Sequence, residues 1–234
     1  MREPLNYFFE KYGINLQEIK QIICGQKYVA VLLKNGHIGV CATLGHYVDV
    51  AIQDLRFPDL DNVQHRIVLN AYFNARFNYQ NHYDNTSDIF DKIDFEKYHK
   101  IVMIGFFKSL AEKFEREKIA LTIFDKAVED EKLAPMSKQL EEIATADAVI
   151  LSSTTIFNHT FSELIKATKE KCDTYTLGPS TIMHPEMFQY KNIKLLFGSV
   201  FDSNDINTLK IIENGGGTKQ FLPFMYKVFL KPKS

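Results

Sequence analysis

From Lys100 onward, short apolar runs alternate with stretches of helical spacing, and this alternation restricts the fold more than any other property of the chain. Residues 100–104, 119–124, 148–151, 174–177 and 193–197 read as strands, with helices expected over 109–118, 137–146 and 159–171 between them. Strands linked in this way need crossovers, and the result is a parallel sheet with helices on both faces. The expected class is α/β, with a Rossmann-like, mostly parallel sheet.

The first eighty residues have a different rhythm. Leu5, Phe8, Phe9, Tyr12 and Leu16 recur at helical spacing, so a helix is expected over 1–20. Two β-rich runs, 27–33 and 37–43, flank Lys34-Asn-Gly36, where Asn-Gly signals a hairpin turn. A second helix is expected over 63–77. This part reads as a smaller α+β domain, and the polar interval 78–88 separates it from the sheet. The expected domains are 1–84 and 85–234.

Composition narrows the partners. With 45% hydrophobic residues the 234-residue chain can bury a sizeable core. Its 28 basic and 29 acidic residues are balanced and form no basic block, which argues against nucleic acid. Cys24, Cys41 and Cys172 are odd in number and widely spaced, unlike a disulfide framework or a zinc ribbon, and fit a reducing cytoplasm. The start has no apolar signal core, and no apolar run approaches the roughly 20 residues of a membrane span. The expectation is a cytoplasmic protein with a small-molecule ligand, compatible with a homodimer, without nucleic acid or membrane.

In open parallel sheets ligands bind beyond the carboxyl ends of the strands, so those ends carry the candidate site. The first ends in Gly105-Phe106-Phe107, without the G-x-G-x-x-G spacing of a dinucleotide fold. Gly105 permits a tight turn or close approach, and the phenylalanines either stack on a planar group or pack in the core. Asp125 follows the second strand, as a ribose acceptor or a solvated carboxylate. After the third, Ser153, Thr154, Thr155 and Asn158 offer hydroxyls and an amide. Asn158 or Thr160 also suits a helix cap, with Glu163 completing a capping box. Gly178-Pro179-Ser180-Thr181 follows the fourth strand as a second small-residue wall or a plain turn. Asn214-Gly-Gly-Gly-Thr218 is either a loop that closes on a ligand or a mobile connection.

These strings, together with Ala146-Asp-Ala-Val-Ile150 and Gly215-Gly-Gly217, give residues 98–221 a resemblance to the family described as putative heavy-metal chelation. The chain departs from its pattern at Ile182-Met183, where Pro-Leu is usual. The first part resembles that family's partner domain, of enolase-N-terminal-like fold, through Tyr28-Val-Ala-Val, Ile38-Gly-Val-Cys-Ala-Thr43 and Asn70-Ala71. The resemblance implies a site in the cleft between the two domains.

Metal can be sought directly. His37 and Cys41, four residues apart on one expected strand, stand about 13 Å apart, too far to share an ion. His159 and His184, at two strand ends, are the candidate ligands, with surface or structural roles as the alternative. The cofactor classes left open are a divalent transition metal and a nucleotide-like small molecule. No nucleophile–base signature appears, so catalytic residues stay unassigned. The expected function is small-molecule or metal-chelate binding, with or without catalysis. The alternatives are transition-metal binding or trafficking, and a Rossmann-type methyltransferase or nucleotide-dependent enzyme.

Overall fold

A proline in the first turn starts helix α1 (Pro4–Tyr12), and Gly13, at φ +58°, ends it. The helix expected over 1–20 therefore stops at Tyr12. Ile19–Cys24 is instead strand β1, antiparallel to β2 (Tyr28–Leu33), which pairs with β3 (Ile38–Ala42). The β2–β3 turn uses Gly36 at φ +90°. Helix α2 (Val63–Phe77) lies on this sheet with eleven of its fifteen residues buried, so it is enclosed on all sides. Its close seating depends on Gly39 of β3, where a Cβ would stand 2.0 Å from the Ala71 carbonyl oxygen. The computed structural model describes residues 1–83 and 88–232, and the domain boundary expected at 84/85 lies outside the described residues.

Beyond it come α3 (Ile89–Lys92), β4 (Ile101–Ile104), α4 (Lys108–Arg116), β5 (Thr122–Phe124), α5 (Gln139–Thr145) and β6 (Ala148–Ser152). The chain continues through α6 (Phe161–Ala167), β7 (Asp173–Leu177), β8 (Ile193–Phe201), α7 (Ile206–Glu213), α8 (Thr218–Phe221) and β9 (Met225–Leu230). The six strands lie in the order β5-β4-β6-β7-β8-β9, all parallel except β9. This is the expected mostly parallel α/β sheet. Three expectations are corrected: the strand over 119–124 begins at Thr122, the helix over 159–171 spans only Phe161–Ala167, and the last strand runs on to Phe201. Helix α7 and strand β9 lie beyond the last element expected from the sequence.

One hydrophobic cluster joins the two sheets, running from Leu5 and Phe8 through Ile67 and Phe73 to Leu151, Phe161 and Leu196. Gly215–Gly217 lie against Gln26 and Lys27 at the β1–β2 turn. Their N–H groups donate to Ile212 O, Ile211 O and Gln220 Oε1, so these donors serve the chain itself. Among the described residues no helix is long and apolar enough to cross a membrane.

Candidate functional site

The strand order decides where a ligand would sit. From β4 the chain moves to β5 on one side and then returns to β6 on the other, which makes the β4/β6 boundary the topological switch point. Gly105 and Ser152 face each other across it. At φ +95°, Gly105 takes a backbone conformation that side-chain-bearing residues rarely adopt, and a Cβ there would lie 2.8 Å from Ser152 Cβ. Gly178, after β7, repeats the arrangement at φ +131°, its projected Cβ 2.7 Å from Ser153 Oγ. The Phe107 ring reaches within about 4 Å of both projected positions. The structure thus brings Gly105, Phe107, Ser153 and Gly178 together at the strand ends, a place called the crevice below, with Ser153 itself buried and Thr154 beside them through a 2.8 Å bond between its hydroxyl and that of Ser152.

The other expected residues serve different ends. Asp125 accepts the Phe106 N–H on Oδ2 and the Ala127 N–H on Oδ1, each at 2.7 Å, and so ties the turn after β5 to the turn after β4. Thr155 is buried and donates to Ser152 O. Asn158 accepts the Thr160 N–H and hydroxyl, closing the turn before α6. Ser180 and Thr181 are 1% and 0% exposed and turn inward. Ser180 Oγ accepts from Ala42 N of β3, and the Thr181 hydroxyl reaches Gly178 O and Phe197 O. The Pro179 carbonyl points to the protein as well, toward Asn74. Phe106 lines a neighbouring cleft of about 520 Å³ with Lys108, Glu112, Asp130 and Lys132.

The loops are gripped from behind by residues that sequence reasoning passed over. Along α2, Arg66, Asn70 and Asn74 recur every fourth position, and Asn78 caps the helix. Arg66 donates to Phe157 O at 2.5 Å and Ile156 O at 2.8 Å. Asn70 donates to Ser180 O, Asn74 to Pro179 O and Val40 O, and Asn78 to Thr181 O and Ser199 O. Asn78 also accepts the Met183 N–H at 2.8 Å. The signal in the sequence is Asn70 and Asn74, set at a period of four from Arg66 and Asn78 inside the otherwise apolar run 67–75. Burial draws the Arg66 guanidinium down to about 10, while the carboxylates of Glu3 and Asp61 pull the other way.

The donor set does not fit a bare metal ion. Among the described residues no three His, Cys, Asp or Glu side chains group closely enough to hold one. His159 is exposed at φ +64°, with Arg66 as its neighbouring cation, whereas the His184 ring packs against Phe8, Tyr12 and Phe77, and its Nδ1 accepts the Glu186 N–H. Burial lowers the pKa of His184, and partial desolvation together with the nearby Arg66 charge lowers that of His159. Burial raises all three thiols, Cys172 to about 11 and Cys41 further, which keeps them from the thiolate form that binds metal.

Comparison with known proteins places the chain. No curated protein matches it. Among solved structures, a protein of unknown function from Pyrococcus horikoshii is 20% identical, with a TM-score of 0.81 over 97% of this chain and 99% of that one. Another of unknown function, from Desulfitobacterium hafniense DCB-2, is 18% identical, with a TM-score of 0.75 and the same coverages. At such identities the likeness shows the fold alone. Two family models, both described as putative heavy-metal chelation, match residues 10–75 and 88–231, and the chain belongs to that family.

Proposed function

We propose that the protein binds an anionic small molecule with a planar part at the β4/β6 switch point, and that a metal ion, where one takes part, arrives held by that molecule. The observation that carries this reading is the Phe107 ring set over two glycines that both take left-handed backbone, with the half-buried Thr154 hydroxyl at the same edge and the buried Ser153 hydroxyl packed beneath Gly178. Glycine lets a ligand approach the backbone, and an aromatic ring offers a flat apolar face. Helix α4 begins at Lys108 with no side-chain cap, leaving its first amides for an anion. The lack of a three-donor cluster among the described residues favours a chelate over a bare ion. We read residues 1–84 and 85–234 as two domains that close around this site, in a reducing cytoplasm that keeps the three cysteines free.

A thermal-shift screen tests the reading, using nucleotides, pterins, S-adenosylmethionine, divalent metals alone and the same metals as organic chelates. A ligand at a hundred times its Kd stabilises by about 2.7 kcal/mol, worth about 5–11 °C in a chain of this size. The expected hit is an anionic planar compound or its chelate, weakened at least tenfold by Thr154→Val and by Phe107→Ala. A shift given only by bare metal, or a hit indifferent to both substitutions, overturns the proposal.

A further inference from the structure

The loops that form the crevice are held by a polar stripe on a helix outside the mostly parallel sheet, and we infer that Arg66, Asn70, Asn74 and Asn78 are the positioning residues of this site, Arg66 for the loop after β6 and the three asparagines for the loop after β7. The inference rests on the reading of the crevice as a ligand site, but its test needs no ligand.

Residues four apart on a helix share a face, so one side of α2 carries all these donors. The four side chains are at most 1% exposed, and each places a donor on a buried carbonyl, while the Oδ1 atoms of Asn70 and Asn74 are buried without a hydrogen-bond partner among the described residues. Their partners include backbone carbonyls of the two loops, Ile156 and Phe157 for Arg66 and the consecutive Pro179, Ser180 and Thr181 for the asparagines, beside Asn6 and Leu60 for Arg66, Val40 for Asn74 and Ser199 for Asn78. A carbonyl series taken in this way fixes the path of the backbone, and the path of 178–181 sets how Gly178 meets Ser153 and Phe107. The division is unequal in chemistry. The forked guanidinium holds two successive carbonyls at the end of the Ser153–Ile156 turn, whereas Asn78 both donates and accepts and so brackets the second loop from Thr181 to Met183. An apolar stripe of equal volume would hold the helix in place without directing either loop.

The chain contains no tryptophan, so Phe107→Trp supplies a single fluorescent reporter in the crevice. In that background Asn70→Leu and Asn74→Leu are compared with Val68→Ala, a fully buried apolar change on the same helix. The asparagine variants are expected to move the emission of the introduced indole to the red and to raise its acrylamide quenching at least twofold, with Val68→Ala leaving both unchanged at a similar loss of thermal midpoint. In parallel, in the otherwise unaltered chain, Arg66→Lys is expected to speed amide exchange at least tenfold in 153–160 and not in 178–184, and Asn78→Asp to do the reverse. The two exchange variants nearly keep side-chain volume and, once circular dichroism shows each to be folded, decide the matter if the leucine variants do not fold. Equal effects on both loops, or equal quenching from Val68→Ala, overturn the inference while leaving the ligand screen untouched.

Discussion

Gly39 offers the sharpest test of how the small sheet and α2 are joined. Its backbone is not left-handed, so replacing it with alanine carries no conformational penalty and, by restricting the unfolded chain, would ordinarily stabilise by about 0.4–1 kcal/mol. The structure reverses that sign. A Cβ at this position lies 2.0 Å from Ala71 O and 2.2 Å from Ala75 N, both backbone atoms of α2. Ordinary contact begins at 3.4 Å, so the helix must retreat by about 1.4 Å. The Asn74 bond to Val40 O, now 2.9 Å, cannot survive such a movement, and the Asn70 bond to Ser180 O, now 2.8 Å, is strained with it. Overpacking costs about 1–3 kcal/mol. Each buried polar group left without a partner adds about 1–3 kcal/mol. The sum is at least about 2 kcal/mol, which outweighs the gain of about 0.4–1 kcal/mol and leaves a net loss of at least about 1 kcal/mol. At about 2–4 °C per kcal/mol, Gly39→Ala should lower the thermal midpoint by at least about 2–4 °C. Urea and thermal unfolding followed by circular dichroism would measure it. A midpoint that is unchanged or raised would refute the backbone contact between β3 and α2.

At the crevice, Gly105→Ala combines a left-handed backbone with contact on Ser152, and should cost about 1–3 kcal/mol. Adding Ser152→Gly should recover part of the lost midpoint, and no recovery would place the cost elsewhere. Cys41 and Cys172 are buried with raised pKa values, so a thiol reagent at pH 8 should modify neither in the native protein and both after urea unfolding; fast native labelling of Cys41 would contradict its burial. Burial holds the folded-state pKa of His184 below its unfolded value of 6.5. Its contribution is therefore complete above pH 6.5 and declines as pH falls from there toward the lower folded value, as the unfolded chain takes up the proton first. His37 and His159 shift in the same direction and add to the slope. Urea midpoints at pH 7.5, 6.5 and 5.5 should fall in that order, less steeply for His184→Phe; a rise toward pH 5.5 would exclude this linkage.

The parallel sheet was legible because its inner strands are buried on both faces and so appear as unbroken apolar runs, as in Ala148–Ser152. Edge elements do not announce themselves in that way. Strand β9 exposes Tyr226 and Lys227, and β1 mixes Lys20 and Gln21 with Ile22 and Ile23, so neither shows a clean period of two. At the site, the glycines after β4 and β7 were readable because turns at strand ends favour them. The roles of Ser180 and Thr181 were not, because a hydroxyl on a turn faces a ligand or the protein according to the path of the loop. That path depends on Ala42 and α2, more than one hundred residues earlier in the chain.

The α2 stripe also explains how the loops at the strand ends can be backed by a helix at all. Loops at the carboxyl edge of a parallel sheet expose carbonyls that water normally satisfies, and covering them with an apolar helix would leave each one unpaired at about 1–3 kcal/mol. Five carbonyls flanking the crevice, from Ile156, Phe157, Pro179, Ser180 and Thr181, instead receive donors from residues that are themselves buried. Covering the loops and fixing their shape are then one event. An asparagine at 70, 74 or 78 cannot be exchanged for leucine without both consequences together, because the donor that permits burial is the same atom that directs the backbone. The N-terminal elements therefore act on the crevice through hydrogen bonds as well as through packing, and a change on α2 should be felt at Phe107 even where no side chain of α2 touches it.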